Sequence, residues 1–184
     1  LEPLEEREVK VKKTAMVIGG GIAGIQAALD IADSGFKVYL VEKEPSIGGH
    51  MIQLDKTFPT LDCSACILTP KMADIKNHPN IELLAYSEVV DVSGFVGNFK
   101  ITVKRKPRYI DENICNACGQ CATYCPIAIK DRFNEGLSKL KALNIPFPQA
   151  IPASYYIDPD ACRYLQEGTC RQCEQVCNEL HAIN

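Results

Sequence analysis

The chain has 184 residues with 20 Lys plus Arg against 23 Asp plus Glu, and its formal charge of -3 argues against a nucleic-acid binder, which would carry a basic surplus. No apolar run approaches the ~18 residues that cross a bilayer, and residues 1–13 carry mixed charge without the apolar stretch of a secretion signal. At 46% hydrophobic and 23% charged the composition is that of a folded protein, but its ten cysteines without an export signal point to metal or redox chemistry, not a disulfide framework. Because it opens on Leu1, the chain reads as a piece of a longer polypeptide.

Residues 1–13 read as a linker. Thr14–Ile18 reads as a short buried strand, and Gly19-Gly-Gly21 breaks it. A helix is expected over Ile22–Ser34, with Ile22, Ile25, Ala28, Leu29 and Ala32 on one apolar stripe. Gly35 ends it, and Lys37–Val41 reads as a second buried strand that stops at Glu42. The three elements make a βαβ unit, which needs a parallel sheet and a right-handed crossover. Residues 43–69 read as a long functional loop, then Pro70–Lys76 as a short helix with Thr69 as N-cap and Pro70 at its first position. Ile81–Val92 and Phe99–Lys106 read as strands, and Lys104-Arg-Lys106 with Arg108 as a solvated strand face.

From Tyr109 onward cysteines dominate, and the last third holds an internal repeat. Tyr109-Ile-Asp111 before Cys115 matches Tyr156-Ile-Asp158 before Cys162, and Cys118, Cys121 and Cys125 match Cys170, Cys173 and Cys177. The second copy has five extra residues after its first cysteine, since the offset grows from 47 to 52. The expected fold class is therefore α/β, a Rossmann-like half-domain over 14–108, followed over 109–184 by an α+β cysteine-rich module with pseudo-twofold character; the glycine and cysteine motifs make the first an FAD-binding half-domain and the second a two-cluster ferredoxin-like module.

Gly19-x-Gly21-x-x-Gly24 lies between the first strand and its helix, where a dinucleotide fingerprint has meaning. Gly19 permits the tight turn, Gly21 lets a pyrophosphate approach the backbone, and Gly24 lets helix and strand pack closely. The anion would rest on the helix N-terminus, and Glu42 would accept from a ribose hydroxyl. Ala23 and Lys43, beside these positions, join the expected cofactor-binding set. Gly48-Gly49 resembles the second glycine pair of glutathione-reductase and thioredoxin-reductase flavoproteins, which favours FAD over NAD. An acid at position 42 disfavours the 2′-phosphate of NADP. His50, next to that pair, reads either as a flavin neighbour or as a plain loop residue.

Cys115-x2-Cys118-x2-Cys121-x3-Cys125-Pro126 matches the bacterial ferredoxin run in full. The second copy, Cys162-x7-Cys170-x2-Cys173-x3-Cys177, has Asn178 in place of the proline. By resemblance to two-cluster ferredoxins the ligation is crossed: Cys115, Cys118, Cys121 and Cys177 for one [4Fe–4S] cluster, Cys162, Cys170, Cys173 and Cys125 for the other. Zinc is the competitor, but it takes only four ligands, usually as two separated pairs. Cys63-Ser-Ala-Cys66 leaves three readings open: a catalytic redox dithiol, two ligands of a further cluster, or inert free thiols.

The glycine fingerprint, Gly48-Gly49-His50, the stretch Thr60-Leu-Asp-Cys-Ser-Ala-Cys-Ile-Leu-Thr-Pro-Lys-Met72 and the two cysteine loops together resemble the A subunit of CoB–CoM heterodisulfide reductase, an iron–sulfur flavoprotein of methane-producing archaea. The resemblance runs from about Val17 to Cys177 and marks the chain as a central fragment. It implies a cytoplasmic oxidoreductase subunit that binds FAD and two [4Fe–4S] clusters and splits electron pairs between a heterodisulfide, reduced elsewhere in the complex, and ferredoxin. Implied partners are the other subunits and redox proteins such as ferredoxin or a hydrogenase, with no membrane span and no nucleic acid. It also implies that the FAD domain's final strands lie outside this chain. The alternatives are a subunit of another flavin and ferredoxin oxidoreductase, quinone-linked or glutamate-synthase-like, or a non-catalytic electron-transfer module.

Overall fold

The structure, a computed structural model, describes residues 8–177 and 181–183; the first seven linker residues and Asn178 lie outside the described residues. β1 (Thr14–Ile18), α1 (Ile22–Asp33) and β2 (Lys37–Val41) form the expected βαβ unit, its strands parallel from Thr14 opposite Lys37 to Ile18 opposite Val41. A 3-10 turn at Gly49–Gln53 and a two-rung hairpin, β3 (Lys56–Thr57) with β4 (Asp62–Cys63), lead into α2 (Ser64–Asn77). β5 (Ile81–Leu84) then pairs parallel with β2, so the sheet order is β1-β2-β5. Ile25, Ala28, Leu29 and Ala32 of α1 meet Val38 and Leu40 of β2 and Leu68, Met72 and Ile75 of α2 in one aliphatic core. Both helices therefore cover the same sheet face, as two successive right-handed crossovers require.

Two local expectations are corrected. Residues 43–69 are not a structureless loop, and the second helix starts at Ser64, with Cys63 as its N-cap in place of Thr69. Cys63 Sγ accepts the Cys66 N–H at 3.2 Å, so the helix has its cap seven residues before Pro70. Pro70 sits inside the helix, where its missing N–H removes one rung. Leu68, Met72 and Ile75 carry the helix through that gap because all three are fully buried. The stretch expected as one strand over Ile81–Val92 splits at Tyr86, whose φ of 53° turns the chain out of the parallel sheet. β6 (Ser87–Phe95) then pairs antiparallel with β7 (Asn98–Arg105) in a separate hairpin.

The cysteine-rich part has short elements only: α3 (Gln120–Tyr124), a hairpin of β8 (Ala128–Lys130) and β9 (Lys139–Lys141), β10 (Leu143–Asn144) with β11 (Tyr156–Ile157), α4 (Arg163–Glu167) and α5 (Gln172–Val176). The repeat is structural. Asp111 O accepts the Cys115 N–H at 2.9 Å and Asp158 O accepts the Cys162 N–H at 3.0 Å. Asp111 Oδ1 takes the Asn113 N–H and Asp158 Oδ1 the Asp160 N–H, two matching turns that launch the two cysteine loops. A second core holds Ile110, Ala142, Leu143 and Ile157 together with Cys121 and Cys125.

The segment between the two loops folds back on the α/β part. Phe147, Ala150 and Ile151 belong to the first core. Ile47 N–H donates to Ile151 O at 3.1 Å and Ile151 N–H donates to Ser46 Oγ at 2.9 Å. Arg108 is not on a solvated face: it is 6% exposed, its Nη2 donates to Pro45 O, and its Nε lies 2.7 Å from Glu112 Oε1. Among the described residues no helix is long and apolar enough to cross a membrane.

Candidate functional site

The β1–α1 turn is built by backbone contact. Gly19 N–H donates to Val41 O at 2.8 Å, tying the turn to the end of β2. Gly24 lies against it so closely that a Cβ there would stand 1.9 Å from Gly19 O, so only glycine fits. Gly21 is the N-cap of α1 and offers no side chain, and the first turn holds no acidic residue. The amide groups of that turn and the positive end of the helix are therefore free for an anion. Ala23, in the first turn, is exposed.

Glu42 is buried at the end of β2 and accepts from Gly20 N–H at 2.6 Å and from Glu44 N–H at 2.8 Å. Its carboxylate thus fixes the glycine turn from the side. The second glycine pair closes the other side: Gly48 N–H donates to Gly20 O at 2.7 Å, and Gly48 takes a φ of 129°. A Cβ on Gly49 would come within 2.9 Å of Gly21 Cα, so the two glycine loops touch. His50 Nδ1 bonds Gln53 Oε1 at 2.9 Å, and Gln53 Nε2 donates to Phe133 O at 2.9 Å, linking this loop to the cysteine-rich part. A cavity of about 440 Å³ runs along Glu42, Lys43, Gly49 and His50 and is closed opposite them by residues 129–158. Its size lies in the range of small-molecule sites.

Seven of the eight free cysteines fall into two groups that cross the sequence repeat. Burial pushes the Cys121 thiol up from its ordinary 9.0 to about 12; the Ala122 N–H partly offsets this, and Cys115, Cys177 and Cys118 nearby add to the rise. Burial also raises the Cys173 thiol, with Cys125 and Cys162 as its neighbouring cysteines. Cys177 of the second loop therefore stands by the first loop, and Cys125 of the first by the second. Cys170 is half-buried just before α5. Among the described residues no three His, Cys, Asp or Glu side chains gather tightly enough for a single metal ion. The donors fit an iron–sulfur cubane by chemistry, since soft thiolates suit iron and each takes a separate corner.

Cys63 and Cys66 are joined in a disulfide and exposed at the start of α2. The free-thiol reading of this pair is thereby corrected, and among the described residues lining the cavity neither cysteine appears. Sequence reasoning missed Asn144 and Phe147, which line the cavity from outside any motif, and gave Tyr156 no role in it. The Tyr86 hydroxyl, pushed up to about 12 mainly by burial, sits against Tyr156 with ring centroids 5.5 Å apart.

Residues 15–58 match the model of the FAD dependent oxidoreductase family and residues 108–129 that of the 4Fe-4S binding domain. The first match covers β1, α1, β2 and both glycine pairs, and the second the first cysteine loop. Over 96% of its length the chain is 58% identical to the A subunit of the H2:CoB-CoM heterodisulfide,ferredoxin reductase of Methanothermobacter marburgensis, covering 26% of that protein. By sequence, the chain is similar to one part of heterodisulfide reductase A subunits. It is also 56% identical, over 96% of its length and 26% of the relative's, to the iron-sulfur A subunit of the CoB--CoM heterodisulfide reductase of Methanocaldococcus jannaschii. To a protein of Archaeoglobus profundus that is itself like the heterodisulfide reductase A subunit it is 61% identical over 88% of the chain and 23% of that protein. The chain thus spans about a quarter of the length of the heterodisulfide reductase subunits it matches. The resemblance drawn from the motifs is borne out, as is the fold class: a Rossmann-like FAD-type half followed by a ferredoxin-like module.

Proposed function

We propose that this chain is the electron-routing part of a cytoplasmic heterodisulfide reductase-type oxidoreductase, passing electrons between FAD and two [4Fe–4S] clusters. The observation that supports it most is the crossing of Cys177 and Cys125 between the two cysteine groups, next to a bare-backbone nucleotide cradle. Over 14–108, Gly19, Gly21, Ala23 and Gly24 receive the pyrophosphate, Glu42 and Lys43 the ribose side, and Gly48, Gly49 and His50 the flavin side. Over 109–184, Cys115, Cys118, Cys121 and Cys177 hold one cluster and Cys162, Cys170, Cys173 and Cys125 the other. When bound, these groups supply the redox chemistry, while the chain sets position, solvent exclusion and potential. Bound there, the flavin would supply chemistry that divides electrons between a heterodisulfide held elsewhere in the complex and a low-potential acceptor, with redox proteins such as ferredoxin or a hydrogenase as partners.

The test is an oxygen-free preparation of the full chain assayed for flavin, iron and sulfide with its visible spectrum. The expected result is a flavin band with about eight iron per chain. A colourless sample carrying zinc or bare thiols overturns the proposal. The Cys63–Cys66 disulfide favours a second, added role for that pair as a redox-active couple at a helix start, where a thiolate is stabilised. Unchanged disulfide-dependent turnover in Cys63→Ser removes that role.

A further inference from the structure

The α/β part lines only one side of the cavity. The other side comes from the segment between the two cysteine loops, which no glycine motif reaches. Phe133 and Phe147 of that segment form an apolar wall, their rings 5.0 Å apart and tilted by 31°. Beside them stands Asn144 of β10, paired across the two-residue ladder with Tyr156.

Asn144 is 3% exposed, and its polar atoms are unequally used. Nδ2 donates to Lys141 O at 2.9 Å. A carbonyl can only accept, so this bond fixes which way the amide faces. Oδ1 is buried and accepts from no protein group. Buried amide oxygens are nearly always paired, because leaving one bare forfeits its hydration without return. Here the bare oxygen belongs to a residue that lines a cavity of ligand size next to the nucleotide cradle.

We propose that Asn144 is a flavin-nucleotide binding residue: its Oδ1 accepts a hydrogen bond from an N–H of the cofactor's heterocycle, and Phe133 and Phe147 pack against that ring. The charged groups around the cavity are mixed in sign, Lys43, Lys130 and Arg132 with Glu42, Glu44, Glu135 and Asp158, which suits an uncharged ring better than a further phosphate. Isoalloxazine and adenine both offer such an N–H, and both belong to FAD. The segment carrying Asn144 thus completes the cradle that the glycine loops begin. This inference rests on the flavin reading above and adds to it a contact from outside the α/β part.

The test is a cycle of variants against cofactor analogues, read as dissociation constants from quenching of flavin fluorescence. The full chain is stripped of flavin without oxygen and titrated with FAD, with FAD methylated at N3 of the isoalloxazine, and with FAD carrying unsubstituted purine in place of adenine. Wild type is expected to bind FAD about tenfold more tightly than one of the two analogues, the worth of one hydrogen bond with its desolvation. Which analogue loses affinity says which ring donates, and either supports the proposal. In Asn144→Leu that discrimination falls to about onefold while the iron content stays at the wild-type level. Should Asn144→Leu lose its iron, Asn144→Ala carries the same arm. Wild type that discriminates against neither analogue, or a variant that keeps the discrimination, overturns the proposal and leaves the flavin reading standing. Failure of wild type to bind FAD at all overturns both.

Discussion

Residues 14–108 bury an aliphatic core beneath three parallel strands, whereas among the described residues of 109–183 the second core is small and includes two cysteines, Cys121 and Cys125. The first part has helices of 12 and 14 residues; the second has none longer than five among the described residues. Helices that short do not stand on their own hydrogen bonds, and on the proposed ligation the second core would gain folding energy from the metal. On that reading the same chain joins a scaffold that exists before its cofactor to one that its cofactor creates.

The largest expected effect separates the two directly. Iron removed by an anaerobic chelator should strip protection from amides over 109–177 while α1, β1 and β2 keep theirs, as read by hydrogen–deuterium exchange of the full chain. Simultaneous loss in both parts would break the contrast. A smaller effect runs the other way. Gly24→Ala places a methyl at 1.9 Å from Gly19 O, an overpacking of about 1–3 kcal/mol. Flavin affinity should fall about ten- to a hundredfold with iron unchanged, measured by titration and metal analysis. The smallest effect concerns the seam. The folded Tyr86 hydroxyl holds its proton up to about 12 against an ordinary 10.0, first through burial and then through Tyr156 and Asp158. Its contribution to stability is therefore complete below pH 10 and declines as the pH climbs toward 12. Urea midpoints taken across that range should show the decline, and Tyr86→Phe should flatten it.

Legibility followed the range of the constraint. β1, α1 and β2 could be read because strand, glycine turn and apolar stripe are all local, and the cysteine spacings because a cluster dictates them over a few residues. Pro70 misled: proline favours a helix start, but here three fully buried side chains carry the helix through it. Arg108 looked like one more solvated cation, yet Pro45 and Glu112 claim it from 63 positions upstream and four downstream. Asn144 had no signal at all. Its meaning comes from a cavity wall brought together across about a hundred residues of chain, and no spacing rule reports on that.

The two hydrogen bonds by which Ser46 and Ile47 grip Ile151 also bear on how such proteins could be rearranged. The iron-bearing half is not a cassette that can be lifted out and plugged into another flavoprotein. Excising it would strip the cover from the fully buried Ile47, beside the Gly48 bend, and grafting it elsewhere would leave Phe147 and Ile151 with nothing to lean on. A transplant that works must carry the 43–53 loop along with the iron.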